Sequence, residues 1–363
     1  MQIRSHHVLS TILVSVLAGA GGSLAQADTI YVPAGGDIQA AIDIAAPDDV
    51  VQLEKGHYFP SSTLDTLGKR ITLRGEADKR GNPTSVIDGQ HSKRVLQCLN
   101  GEGKKTQFDT LKIVNGYGTG ASDFGGGMYI EGSSPTINNC HFEDNRAAFG
   151  GGGLWVEGEL YNEEGQPCNP TIINSEFKNN ESVFTGGGVV VRGDSANVRV
   201  ANSLFESNLS AGALSQGGGL SILRANVTIE SCVFRDNVAS ASLPDGSAGG
   251  GLLNAGLTVE IIDSQFENNT ADLGGGIDMY ATALLTNTTV CGNTSDQIYG
   301  DWYDNGGNSV SDECACPGDY NGDGLVNSQD LLTVLGAWGN PYNGSDLNLV
   351  LGHWNTSCGG ETQ

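Results

Sequence analysis

The chain has 363 residues, 54 of them glycine, with 17% charged residues and a formal net charge of −24. Abundant glycine without a strict three-residue period excludes collagen, and the regular apolar content excludes a disordered chain. So large an excess of carboxylates leaves no basic surface to neutralise phosphates, which excludes nucleic acid as a partner.

The first elements concern export and the start of the fold. Arg4 lies in a short polar start, Val8 to Ala20 is an apolar run of small residues, and Ala25-Gln26-Ala27 has the small-x-small form of a cleavage site. The run is too short to span a bilayer, so residues 1–27 are expected to be a secretory signal peptide. The mature chain is then expected to be secreted, extracellular or at the cell surface, and not transmembrane. Asp28 to Pro33 reads as a strand, Ile38 to Ala45 has helical periodicity, and Asp48-Asp49 turns the chain into the strand Val50 to Leu53. A short amphipathic helix ahead of stacked strands predicts an N-terminal cap, since a first rung without one would expose its apolar core. The segments 71–74, 85–89 and 95–97 read as the first rung strands.

A phrase then recurs: Phe-x-x-Asn, a short gap, three glycines and an apolar run. It begins at Phe142, Phe177, Phe205, Phe234 and Phe266. The glycine triplets end at Gly127, Gly153, Gly188, Gly219, Gly251 and Gly276, which are 26, 35, 31, 32 and 25 residues apart. A period in this range signals stacked supersecondary units. Alternation along Thr136 to Phe142 points Ile137, Cys140 and Phe142 inward. Asn139 takes a left-handed turn, Asn145 is expected to turn the chain again, and the glycine triplet makes a third corner where a Cβ would not fit. Three short strands and three corners per turn predict an all-β solenoid, a right-handed parallel β-helix. Asn145, Asn180, Asn208, Asn237, Asn269 and Asn293 are expected to form one amide ladder. Asn139, Asn174, Asn202 and Asn287 form much of a second, with Ser231 and Asp263 in place of asparagine.

The stretches TIYVPAGGDIQAAIDIAAPDDVVQLEKGHY, SVIDGQ and SSPTINNCHFEDNRAAFGGGGLWV resemble secreted right-handed β-helix proteins of the pectate-lyase-like superfamily, in the variety found in planctomycetes. The resemblance runs from Thr29 to about Gly307 and implies the fold.

Eight cysteines in an exported chain permit disulfides. Cys140 and Cys232 share a repeat position three rungs, or about 14 Å, apart, too far to bond. They are expected to be buried fillers. Cys314, Cys316 and Cys358 flank the last domain and are the disulfide candidates.

The domains are expected to be a β-helix over 28–315 and a calcium module over 316–358. Residues 319–330 match an EF-hand loop at every key position but the last, where Asp stands for Glu. Asp319, Asn321 and Asp323 would offer side-chain oxygens, Leu325 its carbonyl, Asn327 an oxygen directly or through water, and Asp330 the closing carboxylate for calcium. The run Asp330-Leu331-x-x-Val334-Leu335-Gly336-x-Trp338 is echoed by Asp346-Leu347-x-x-Val350-Leu351-Gly352-x-Trp354. This duplication resembles a type I dockerin, which implies attachment to a cohesin-like protein or a surface. The second loop has shrunk, so one calcium site is expected. A Cys316–Cys358 disulfide would clamp the module's ends.

For the β-helix, alternation places Tyr129, Trp155, Val190, Ser221, Leu253 and Asp278 outward after the glycine triplets. The next outward column holds Glu131, Glu157, Arg192, Leu223, Ala255 and Tyr280. Glu131 and Glu157 are then neighbours at about 5 Å, the separation of a retaining glycosidase pair. Tyr129, Trp155, Glu131, Glu157 and Arg192 are the expected substrate-binding surface, with Trp155 stacking on a sugar ring. Asp48-Asp49 lies in the cap turn and is structural. The mature chain's histidines, His57, His91, His141 and His353, form no recognisable catalytic set, and none is named. The acidic surface disfavours direct binding of polyanions such as pectin unless calcium bridges the two. The expected function is binding or processing of extracellular polysaccharide. A non-enzymatic surface or adhesion protein, with the solenoid as a rigid spacer, is the alternative.

Overall fold

The computed structural model describes residues 27–118, 124–159, 167–243, 246–314, 318–321, 325–339, 341–352 and 354. Residues 1–26 of the expected signal peptide, Asp323 and both cysteines of the expected Cys316–Cys358 clamp fall outside them.

The chain winds as a solenoid of short parallel strands. A first sheet of 11 strands runs from Thr29–Val32 to Tyr303–Asp304, and a second of 10 strands from Gly56–Tyr58 to Ser309–Ser311. A third, of nine strands, runs from Leu64–Asp65 to Ile298–Gly300. One turn goes from Thr136–Asn138 in the first sheet to His141–Glu143 in the second, then to Leu154–Glu157 in the third. Each strand pairs in parallel register with its counterpart one turn later, as Phe142 does with Phe177. Three strands per turn was an underestimate. A fourth sheet of five strands, Tyr117–Gly118 to Val238–Ala241, fills the corner before the glycine triplets. The helix α1 (Ile38–Ile44) lies at the start and buries Ile38, Ala41 and Ile42.

The inward column of phenylalanines forms the core of the repeat. Phe142, Phe177, Phe205, Phe234 and Phe266 stack with ring centroids 4.9, 5.0, 4.4 and 4.5 Å apart. Cys140 and Cys232 are buried free thiols, as filler positions should be. The disulfide joins Cys291 to Cys314. Cys314 was expected to pair near the last domain, yet its partner is on the second sheet's strand Thr289–Cys291.

Two corners differ from expectation in detail. Asn139, Asn174, Asn202, Ser231, Asp263 and Asn287 are left-handed, with φ between 48° and 53°. At the next corner the left-handed residue is not Asn145 but Asp144, and likewise Asn179, Ser207, Asp236 and Asn268 in later turns. The asparagine that follows turns its side chain inward. Asn145 Nδ2 donates to Asn180 Oδ1 at 3.0 Å, and the same bond repeats through Asn208, Asn237, Asn269 and Asn293 to Gln297 Oε1. This ladder is continuous because these buried amides have no water to bond. The second ladder is broken: Asn174 donates to Asn138, and Asn139 to Gly81 and Thr110. Among the described residues only Asn287 bonds a neighbour in this ladder, Asp263, at 3.1 Å, and all but the half-buried Asn139 are exposed. At the glycine corner a Cβ on Gly152 would lie 2.5 Å from the carbonyl oxygens of both Glu181 and Gly187.

The C-terminal segment has its own small core of Val326, Val334 and Val350 between α2 (Ser328–Gly336) and α3 (Gly344–Gly352). The sequence duplication is visible in the bonding. Asn327 caps α2 and exchanges a capping box with Asp330. Asn343 and Asp346 repeat the pattern at α3, with Asn343 N–H donating to Asp346 and Ser345 N–H to Asn343.

Candidate functional site

The third sheet carries the residues expected to bind substrate. Its register aligns Tyr129, Trp155 and Val190 in one column over three rungs, and Glu131, Glu157 and Arg192 in the next. Adjacent rungs lie about 4.8 Å apart. The carboxylate pair is therefore adjacent.

The column before it is not exposed. Trp155 and Val190 are 0% accessible, and Ser221, Leu253 and Asp278 are buried with them. Alternation does direct these side chains away from the solenoid core, but the chain entering each glycine triplet crosses over them. Phe124 lies 4.4 Å and Phe149 6.1 Å from the Trp155 ring. Trp155 is thus the filling of a second layer and presents no face to a sugar. Tyr129 is half-buried, with Phe124 stacked at 6.4 Å and the buried Arg94 guanidinium 4.6 Å above its ring. Arg94 is held there by the carbonyls of Phe124 and Gly125.

Glu157 is the chemically distinctive member. The Trp155 indole N–H donates to its Oε2 at 2.6 Å, and Arg192 stands 3.8 Å from the same oxygen. Burial raises its proton affinity above the ordinary carboxylate value; the indole bond and Arg192 oppose that rise, and Glu131 adds to it. Glu131 is exposed and accepts the Tyr129 hydroxyl at 3.4 Å. Both face a groove of about 780 Å³ lined also by Leu99, Asn100, Gly158 and Glu159.

The groove's other wall carries no signal in the sequence. Glu102, 2% accessible, holds it in place. One carboxylate oxygen accepts the Thr66 hydroxyl and the Gly68 N–H, and the other accepts the Asn100 N–H and the Ser133 hydroxyl. Those bonds keep its acidity strong despite burial, which alone pulls the other way. A lone Glu in a Gly-Glu-Gly loop gives no periodic signal. Three carboxylates on one groove repel polyanions and accept hydrogen bonds from hydroxyl groups.

In the C-terminal segment three of the expected calcium-ligating residues, Leu325, Asn327 and Asp330, accept hydrogen bonds from the loop's own amides. Asp330 is fully buried; its Oδ1 accepts the N–H groups of Tyr320 and Asn321, and its Oδ2 that of Asn327. The Asn327 side-chain oxygen accepts Gln329 N–H, and the Leu325 carbonyl accepts the Asn327 amide. Among the described residues no cluster of three or more acidic, histidine or cysteine side chains is arranged to hold a metal. The donors are hard oxygens suited to calcium, and Asp330 is oriented by the three backbone N–H groups that it accepts.

The family model described as right handed beta helix region matches residues 99–314. The chain belongs to this family. The chain is also similar to a metabotropic glutamate receptor-like protein R of Dictyostelium discoideum, 39% identical over 85 residues. That match covers 23% of this chain and 5% of the relative, so the chain spans a small fraction of the relative's length. Among solved structures it is similar to the pectate lyase Pel9A, at 13% identity, 80% coverage of each chain and a TM-score of 0.45. A PL6 family alginate lyase, AlyGC, aligns at 14% identity over 81% of this chain and 41% of that one, with a TM-score of 0.37. Likeness at that level says nothing of activity. No helix among the described residues is long and apolar enough to cross a membrane.

Proposed function

We propose that this is an exported β-helix protein that holds an uncharged, hydroxyl-rich polysaccharide in the groove at Glu131 and Glu157. The observation that carries this reading is the pairing of the two carboxylates on adjacent rungs, one exposed and one half-buried with raised proton affinity. Carboxylates whose surroundings separate their acidities suit paired acid and base roles. Where the bound glycan is cleaved, Glu157 is the residue to protonate the leaving oxygen and Glu131 the one to act from the other side of the bond. The acidic groove favours neutral chains over uronate polymers. The Cys291–Cys314 disulfide supports export, because disulfides persist in oxidising compartments. The C-terminal segment completes the reading as a dockerin-like module that takes one calcium ion and attaches the β-helix to a cohesin-like protein or a surface.

The test is a binding and product screen of the full chain against neutral and uronic polysaccharides, with Glu157→Gln and Glu131→Gln beside the native protein. Binding of a neutral glycan that weakens in both variants is expected. Preference for polyuronates, or indifference to both substitutions, would sink the reading.

A further inference from the structure

A second groove lies outside the site just described, along the corner between the first and second sheets. It has a volume of about 460 Å³. Three consecutive rungs build it, in the register Glu176, Leu204, Val233. Leu204 and Val233 are half-buried and form an apolar floor. Along one rim stand Asn174, Asn202 and Ser231, each exposed and each left-handed, at φ 52°, 49° and 53°. Because every rung turns with the same geometry, these polar side chains repeat at about 4.8 Å. Among the described residues, Asn202 and Ser231 make no side-chain hydrogen bond, while Asn174 donates to Asn138 at 2.8 Å and keeps its oxygen for a ligand.

The opposite rim carries charges that cancel. Lys178 bridges Glu176 at 3.0 Å and Glu206 at 3.3 Å, and Arg235 also pairs with Glu206. A strip of balanced charge on a protein of net charge −24 does not select an ionic ligand. An extended peptide does not fit either. Its rise of about 3.3 Å per residue is out of step with the rungs, and strands interior to a sheet leave no edge for an added strand.

We propose that this groove is a second carbohydrate site, which takes a linear, uncharged polysaccharide running along the solenoid axis with one sugar residue per rung. The apolar floor receives the C–H face of the sugars. The Asn174, Asn202 and Ser231 side chains bond their hydroxyl groups. The length of one hexose in an extended β-linked chain is close to the rung spacing, so a repeating protein surface meets a repeating polymer without losing step. The site lies on other sheets than the Glu131 groove and does not depend on it.

The experiment is calorimetric titration of the full chain carrying Glu131→Gln and Glu157→Gln, so that the first groove does not contribute. The probes are soluble oligomers of a linear β-linked glucan, from two to six sugars long. Affinity is expected to rise up to three sugars and then level off. Adding Leu204→Glu with Val233→Glu is expected to weaken binding at least tenfold with an unchanged circular dichroism spectrum. Asn202→Gly, which suits the left-handed backbone, is expected to weaken it several-fold. No binding in the Glu131→Gln/Glu157→Gln background overturns the proposal, as does binding indifferent to the floor substitutions or to oligomer length.

Discussion

The indole N–H of Trp155 donates to the Glu157 carboxylate at 2.6 Å from beneath a lid of Phe124 and Phe149. A fully buried aromatic therefore opposes the rise that burial gives the Glu157 proton affinity, without facing the groove. Trp155→Phe removes the donor and keeps most of the packing. The Glu157 carboxyl, already raised by burial, is expected to move further up. A carbon-detected titration of the glutamate side chains reads the shift directly, and an unmoved Glu157 would show that the bond is not what holds it. Trp155→Ala is expected to cost about 3–5 kcal/mol in thermal or denaturant unfolding, as for other buried aromatics.

Asp278 supplies a pH dependence. It is 1% accessible, its Oδ2 has no hydrogen-bond partner among the described residues, and burial lifts its pKa to about 6. A carboxyl held above its unfolded value favours the folded state when protonated. That contribution is complete below the unfolded value, about 3.9, and is lost as pH rises through the folded one. Asp278→Asn should therefore raise stability at pH 7 by roughly 1 kcal/mol, the full shift being offset in part by the buried amide that replaces the carboxyl. Its advantage should vanish near pH 4. Melting curves at the two pH values decide, and an equal gain at both would assign the effect to packing instead.

Removing one rung of the buried amide ladder is expected to be severe. Asn208 accepts the backbone and side-chain N–H groups of Asn180 and donates to the Phe177 carbonyl and to Asn237. Asn208→Ala leaves those partners buried and unmet, at about 3–5 kcal/mol or complete loss of folding. Urea titration of the variant measures it, and a cost under about 1 kcal/mol would mean that water enters the corner.

Gly152→Ala tests the glycine corner. The added Cβ meets two backbone oxygens at 2.5 Å, and backbone cannot step aside as a side chain can. The expectation is failure to fold as a single cooperative unit. A native-like melt would show that the corner relaxes.

For the C-terminal segment, calorimetric calcium titration of the full chain is expected to give one site that Asp323→Ala abolishes. A cation on Asp330 would polarise the carboxylate that accepts the N–H groups of Tyr320, Asn321 and Asn327, so their amide resonances should shift on titration. Uptake that leaves those resonances in place would put the ion elsewhere.

The repeat was legible because core, ladder and corner each assign one residue type to one position. Phe142, Asn145 and Gly152 show this, and local pattern and global winding agree at each. The covering layer was not legible from alternation, which tells which side of a strand a residue faces but not what lies beyond that side. The signal was present all the same. Phe124, Phe149, Phe184 and Leu273 stand one or two places before their glycine triplets, an apolar residue where a solvated corner needs none. The turn residue was misplaced by one position because Asp144 and Asn145 both tolerate left-handed backbone, and only burial separates them. The Cys291–Cys314 pair was hidden because Cys291 stands outside the repeat's cysteine position.

The buried amide file has a direction. In each rung the carbonyl end accepts from the N-terminal side and the amino end donates toward the C-terminal side, from Gly116 N–H at Asn145 to Gln297 at the far end. The steps between its members range from 24 to 35 residues. A coil may thus be spliced in or cut out, and its corners lengthened, with no change in the grammar its neighbours read. Such a molecule is indifferent to how many turns it has and strict about how each one is threaded, so it can grow by copying whole turns.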